Sequence, residues 1–366
     1  MRRRPRGKVH VPVSTLSIVA QGLAVALIAA TLLPFWRSRA GLVRTFDFPR
    51  FQVAAAIPPV LVLLVAAGTD PVSLGLGGGL LAALFLQLRR ILPFTRLTPP
   101  TARDAPADAD PAACVAILIV NVLQSNRAYD RLLRLVEQSD PDLILALETD
   151  AGWRDALRPL RARYPHGVDQ PQDNTYGLML YSRLPLDDVR VCFLVEDDVP
   201  SVRAGVTLPS GERFTFHGVH PRPPHPGQSS APRDGELVLI AREVAREGGP
   251  AVVAGDLNDV AWSRTTRLFQ AIGGLLDPRV GRGAYPTFHA GWPMLRWPLD
   301  HAFFSEHFLL ARLERLPDIG SDHFPILIAL CRDEDAEAMQ EPPASDAEDR
   351  REGAEAVAEA RDEAKA

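Results

Sequence analysis

Three apolar stretches fill most of the first ninety positions, and they restrict what this chain can become more than anything that follows. Positions 11–35 are interrupted only by Ser, Thr, Gln and Gly, and two further runs, 51–68 and 72–88, are separated by Thr69-Asp70-Pro71. A helix needs about 20 apolar residues to cross a bilayer core, where lipid offers the backbone no hydrogen bonds. The first run meets that length. The other two lie near its lower limit and read as a tight helical hairpin, with Gly77-Gly78-Gly79 allowing close packing. A cleaved signal peptide would share the basic start Met1-Arg2-Arg3-Arg4-Pro5-Arg6-Gly7-Lys8, but it explains neither the second run nor the third. We therefore read three transmembrane helices, at about 11–35, 51–68 and 72–88, within a membrane region 1–96. The partner they imply is a lipid bilayer, and the localisation is a multi-pass protein of the cell membrane.

Which side carries the rest of the chain is left open. Five Lys or Arg precede the first span, four lie in the 37–50 loop and four lie between 89 and 103. With three spans, that loop and the C-terminal flank share a side, and the positive-inside rule places them in the cytoplasm. The basic N-terminus, if the first helix dominates, argues the reverse.

Charge divides the 366 residues again. Residues 1–112 carry a net +8, residues 113–332 a net −4 (23 Lys+Arg against 27 Asp+Glu), and residues 333–366 a net −9. Positions 97–112, rich in Pro, Ala and Asp, read as an extended linker. The last segment, Ala/Glu/Asp-rich with almost no large apolar residue, cannot bury enough surface to fold alone and reads as an acidic tail, disordered or transiently helical. Cys114, Cys192 and Cys331 lie in or beside apolar runs without pairing or zinc spacing, and read as small buried hydrophobes.

Between linker and tail, the domain 113–332 alternates short apolar runs with a few amphipathic ones. Strands are expected at 114–120, 143–147, 177–181, 189–195, 202–208, 214–219, 251–254, 302–304, 308–313 and 326–330. Helices are expected at 126–138, capped by Asn126, and at 235–246 and 264–271. Many strands and few helices point to an α+β sandwich.

Polar residues stand where these strands stop. Asn121 ends the first and Glu148 the second, and His220 follows 214–219. Asp256 and Asn258 follow 251–254, Asp300-His301 opens 302–304, and Asp322-His323 precedes 326–330. Each alone has a plain reading as a turn or cap residue. Together they form the set that strand ends on one rim of a sandwich can bring into a single site.

The ordered segments Asn121-Val122, Pro141-Asp142-Leu143-Ile144-Leu145-Ala146-Leu147-Glu148, Tyr181-Ser182-Arg183, Gly255-Asp256-Leu257-Asn258, Leu299-Asp300-His301 and Ser321-Asp322-His323 resemble the endonuclease/exonuclease/phosphatase superfamily, in a membrane-anchored bacterial-type form. That deoxyribonuclease I-like group includes neutral sphingomyelinases and inositol-polyphosphate phosphatases. The resemblance implies a four-layer α/β/β/α sandwich, here preceded by the three transmembrane helices, and a Mg²⁺-dependent phosphoesterase site, with Mn²⁺ as a possible substitute. By the same resemblance Glu148, Asn121 and Asp322 lie on the metal side, Asp256 aligns or deprotonates the attacking water, and Asn258 holds a phosphate oxygen. His323, oriented by Asp300, is base or phosphate ligand, and His220 stands where nuclease and sphingomyelinase branches carry a histidine. Arg222 is a candidate phosphate contact, and His301 reads as structural. The chemistry is consistent, because a hard cation that polarises a phosphoryl oxygen prefers one or two carboxylates plus water.

Two other readings fit parts of the sequence. Gly255-Asp256-Leu257-Asn258-Asp259 also fits one core motif of calcineurin-like metallophosphoesterases, but their Asp-x-His and Gly-Asn-His partners are missing. A non-catalytic, membrane-tethered phosphate-binding module would not need the full carboxylate and histidine set. The substrate stays open between nucleic acid, lipid headgroup and small phosphoester. A net −4 with no lysine is a poor electrostatic footprint for nucleic acid, unless Arg222, Arg264 and Arg267 cluster.

Overall fold

A computed structural model describes residues 15–365, so the basic start, positions 11–14 of the first expected span and Ala366 at the end of the tail lie outside the described residues. The chain divides into two compact units.

One unit holds α1 (Thr15–Leu32), while the short α2 (Gly41–Thr45) belongs to the other; α3 (Arg50–Ala67) and α4 (Pro71–Ile91) complete the first. Its three helices are long and apolar enough to cross a membrane. Asp70 caps α4 by accepting from the Val72 and Ser73 amides. Inside the bundle Arg50 donates to Gln87, which donates in turn to Thr31, so the few polar groups there satisfy one another. The glycine run meets a neighbour closely at one point: a Cβ on Gly79 would stand 2.8 Å from Ile28 Cδ1, so the Ile28 side chain packs into the space glycine leaves.

The other unit is built on two six-stranded sheets. In chain order the strands are β1 (Cys114–Asn121), β2 (Leu143–Leu147), β3 (His166–Gln170), β4 (Leu178–Ser182), β5 (Leu186–Cys192) and β6 (Ser201–Thr207). They continue with β7 (Arg213–Val219), β8 (Ala251–Asp256), β9 (Leu275–Leu276), β10 (Asp300–Ser305), β11 (Phe308–Arg315) and β12 (Ile326–Arg332). One sheet runs β11-β12-β1-β2-β4-β3 and the other β5-β6-β7-β8-β10-β9. Their inner faces meet in an apolar core that includes Ile117, Leu145, Phe216, Val252 and Phe304. On the outer face of the first sheet lie α5 (Tyr129–Ser139) and α6 (Ala151–Leu157), through Leu132, Val136 and Trp153. On the outer face of the second lie α7 (Ala231–Glu247) and α8 (Arg264–Gly273), through Leu237, Ile240 and Phe269. The four-layer α/β/β/α sandwich is present.

Several local expectations change. Asn126 closes a turn by accepting from Ala128 and donating to Val122, and α5 begins three residues later. The edge strand β3 carries no apolar alternation, and the two-residue β9 is too short to show any. The presumed linker is extended but not loose: Ala105 donates to Leu310 and Leu310 to Arg103, which lays the segment along the β11 edge.

The cysteine reading is corrected. Cys114 and Cys331 stand opposite each other where β1 pairs antiparallel with β12, and they form a disulfide. They are 217 residues apart, so only the strand register reveals the pair. Cys192 is free.

The tail is corrected too. After α9 (Ala336–Met339), Asp346 caps α10 (Ala347–Glu363) in a capping box with Asp349. Gly353, Ala356, Val357 and Ala360 form its buried stripe, packed on α7 and α8. A Cβ on Gly235 would lie 2.3 Å from Ala360 Cβ, so the two helices touch nearly backbone to backbone. Small residues achieve by close approach what the tail's missing large side chains could not. Ion pairs Arg264–Glu352 and Arg39–Glu359 flank the seam.

Candidate active site

Strand register alone assembles the rim. Asn121 and Leu147 are partners across the parallel pair β1–β2, so Glu148, the next residue, lands beside Asn121. A positive φ of 60° turns the chain there, and Asn121 Nδ2 donates to Glu148 Oε1 at 2.8 Å. In the second sheet Asp300 and Asp256 are direct antiparallel partners. Val219 pairs with Gly255 across β7–β8, which brings His220 to the same end. The segment ahead of β12 folds over the end of β1, where Ser321 Oγ donates to the Asn121 carbonyl at 2.8 Å. Asn121 Nδ2 also donates to Asp256 Oδ2 at 3.1 Å, from one sheet to the other.

The charges meet at close range. Asp300 Oδ2 binds His323 Nδ1 at 2.7 Å, and the other ring nitrogen faces Asp256 Oδ2 at 3.5 Å. His220 Nε2 approaches the same oxygen at 3.8 Å. Asn121, His220, Asp256, Asp300 and His323 are all buried. Burial drives the His323 imidazole toward the neutral form, yet Asp300 and Asp256 outweigh it and raise its pKa to about 10. His220 shows the opposite balance, held below its usual value by burial despite Asp256. Burial raises the carboxyls of Glu148 and Asp256 above the ordinary range.

The remaining predicted residues fall around this centre. Asp322 flanks Glu148 closely enough to raise its pKa further. Asn258 sits in a left-handed turn at φ 50°, its amide nitrogen bonded to Asp256 Oδ1 and its side chain donating to the Pro221 carbonyl. His301 lies outside the cluster, tied to Arg279 and the Asp259 carbonyl, as a structural residue would be. Arg222 is turned aside: it pairs with Glu196 and Asp198 and stacks on Tyr176. Arg264 is neutralised by Glu352, so the basic cluster that the sequence allowed does not form around it.

Sequence reading missed four neighbours. Thr287 Oγ1 accepts from the Asp300 amide, and the Phe288 ring rests 4.9 Å from that of His323. Tyr176 packs on His220 at 5.6 Å. Arg233, fully enclosed on α7, donates to the Asn258 carbonyl at 2.9 Å and holds that turn in place. None of the four ends a strand, the signal by which the other residues are found.

The donor set suits a hard cation. No lysine or arginine pairs with Glu148, Asp256 or Asp300 among the described residues, and Asp300 Oδ1 is buried without a hydrogen-bond partner. Ligand atoms of Asp256, Asp300 and His323 lie within 4.8 Å of one another and could close on an ion by distance alone. Asn121, Glu148 and Asp322 form a second, oxygen-rich group beside it.

The model of the Endonuclease/Exonuclease/phosphatase family matches residues 119–323, more than half of the chain. No curated protein matches it. Among solved structures, D. rerio TDP2 complexed with single strand DNA product is 16% identical, with 60% of this chain and 99% of that one covered at a TM-score of 0.51. The human Nocturnin catalytic domain with bound sulfate anion is likewise 16% identical, over 60% of this chain and 95% of its own, also at 0.51. At such identities the likeness is one of fold.

Proposed function

We propose, from the premise that the chain belongs to the Endonuclease/Exonuclease/phosphatase family, that it is a membrane-anchored phosphodiesterase dependent on Mg²⁺ or Mn²⁺. Its place among hydrolases of phosphoester bonds follows from the family. The single observation that carries the finer reading is the convergence of Asn121 and His323, from the first sheet's end, on the Asp256–Asp300 pair of the second.

In this reading Asn121, Glu148 and Asp322 hold the cation. When bound, it supplies a Lewis acid for a phosphoryl oxygen. The chain's own groups do the rest. His323 lies between two carboxylates, so its ring keeps both protons and donates to the phosphoryl group while Asp300 fixes its orientation. Asp256 Oδ2, bordered by Asn121, His220 and His323, accepts the proton of the attacking water. Asn258, held by Arg233, and the neutral His220 position the remaining phosphate oxygens. Asn121, His220, Asp256, Asp300 and His323 are buried, whereas Glu148, Asn258 and Asp322 are partly open to solvent, where water and substrate enter.

The three apolar helices support the anchor. Segment Ser38–Phe48 belongs to the same unit as the catalytic domain, with Gly41 donating to Gln228 and Trp262 to Asp47. Three crossings would put the connection between the first two helices and the segment after the third on one side of the membrane. Cys114–Cys331 favours an oxidising compartment, so we place the domain on the non-cytoplasmic face, with the basic N-terminus inside.

The test is turnover of bis(p-nitrophenyl) phosphate by the full chain in nanodiscs with Mg²⁺ or Mn²⁺. Metal-dependent release of p-nitrophenol is expected. No turnover with either ion contradicts the reading. On intact cells a thiol-specific reagent should label Cys114 and Cys331 only after an impermeant reductant, and labelling without reduction contradicts the proposed side.

A further inference from the structure

The segment between β9 and β10 has two ends of different character. Its inner end is part of the site: Thr287 accepts from the Asp300 amide, Phe288 packs on His323, and Ala290 donates to the Asp322 carbonyl at 2.7 Å. Its outer end is a tight turn, with Trp292 donating to His289 and Leu295 to Trp292. That turn leaves Trp292 62%, Met294 79% and Leu295 43% exposed. Soluble surfaces carry single apolar residues without consequence, but three large ones on one tip beside a reaction centre form a contact surface.

Between tip and centre stand two arginines. Arg296 lies over the Phe324 ring at 4.9 Å and Arg315 over the same ring at 4.6 Å, and Phe324 directly follows His323. Arg296 donates to the carbonyls of His289 and Ala290, and Arg315 to that of Pro286. Neither joins an ion pair among the described residues, whereas Arg222, Arg233, Arg264 and Arg279 all do. Two guanidinium groups without a carboxylate, both packed on the Phe324 ring in a domain of net −4, are matched to an anion that is not part of the chain.

The order from outside inward is apolar tip, cationic pair, His323. An anionic phospholipid surface has the complementary order. Apolar and aromatic residues enter the headgroup–acyl boundary, and basic residues meet the phosphates. The base of the segment also touches chain that leads to an anchor: Trp297 packs edge-on against Phe48 at 5.7 Å, and α3 begins two residues later at Arg50. Exposed Trp with Arg could instead stack nucleic-acid bases, but the net −4 of the domain and net −9 of residues 333–366 oppose a polyanion.

We propose that segment 287–298 docks on an anionic bilayer, with Trp292, Met294 and Leu295 in the interfacial layer and Arg296 and Arg315 on a headgroup phosphate. The substrate class it selects is the phosphodiester of a membrane phospholipid. The inference rests on the phosphodiesterase reading above for its substrate, but not for its docking.

The experiment uses the full chain in liposomes of phosphatidylcholine with and without phosphatidylglycerol. Tryptophan emission is compared between wild type and Trp292→Phe, so that the difference isolates Trp292. That difference should be quenched by lipid brominated near the headgroup and shielded from acrylamide, more so with phosphatidylglycerol. The double variant Arg296→Gln/Arg315→Gln should lose the phosphatidylglycerol dependence. In Met294→Ser the ratio of vesicle-lipid to soluble-diester turnover should fall about tenfold, because interfacial binding scales with buried apolar area. A Trp292 open to acrylamide and untouched by brominated lipid overturns the proposal. So does quenching by a single-stranded oligonucleotide at physiological salt, which would make this a nucleic-acid surface. If wild type fails on the soluble diester the phosphodiesterase reading fails, and the quenching data still judge the docking.

Discussion

Glu236 gives the sharpest energetic prediction. It points inward from α7, 3% exposed, and its Oε1 has no hydrogen-bond partner. Burial, with the neighbouring Glu196 adding to it, raises its pKa from 4.5 to about 8. Below pH 4.5 both folded and unfolded chains hold the proton. Above it the unfolded chain ionises while the folded chain does not, so stability present in acid is lost as pH rises toward 8. At about 1.4 kcal/mol per pH unit, the loss across that window is on the order of 4–5 kcal/mol. Glu236→Gln keeps the shape and removes the titration. The variant should match wild type near pH 4.5 and unfold at a clearly higher temperature near pH 8, read by near-UV circular dichroism of the full chain in detergent. His217, held at about 4 by burial, acts with the opposite sign: its stability is present above pH 6.5 and lost as pH falls toward 4. Because it is common to both proteins, it cancels in the difference. A wild-type-to-variant difference that does not change with pH would refute the reasoning.

Two further predictions follow from the geometry. His323→Ala should slow diester turnover by about 10²–10⁴-fold, and adding Asp300→Asn should cost little more, because Asp300 acts through the ring it orients; multiplicative losses would separate the two residues. Gly235→Val should drive α10 off α7, lowering the unfolding temperature and exposing Val238 and Leu268, whereas an unchanged melt would show that residues 333–366 do not stabilise the domain.

The legible part of the fold was the part written in periodicity. Runs such as Ile117–Ile119 and Val252–Ala254 are apolar because both faces of their strands are covered, and they announce a two-sheet core. The candidate site was legible as a cluster because its side chains stand at or next to strand ends, and strand ends can be read one at a time. What could not be read depends on register or on close approach. Nothing local distinguishes Cys114 from Cys192, and only β1–β12 pairing selects its partner. The α10 stripe of Gly353, Ala356 and Ala360 carries almost no hydrophobic signal, since its packing rests on the absence of side chains. Arg222 looked available for phosphate beside His220, but Glu196 and Asp198, about 25 residues upstream, claim it in three dimensions.

The central claim is that the buried rim cluster is a cation-dependent phosphodiesterase centre. The most direct measurement titrates Mn²⁺ into wild type and Glu148→Gln by calorimetry and follows bis(p-nitrophenyl) phosphate turnover on the same samples. Wild type should bind the ion and turn over only when loaded, and Glu148→Gln should bind about 10–100-fold more weakly, with turnover falling in step. Full turnover in excess chelator, or a Glu148→Gln protein that binds and hydrolyses like wild type, would contradict the account.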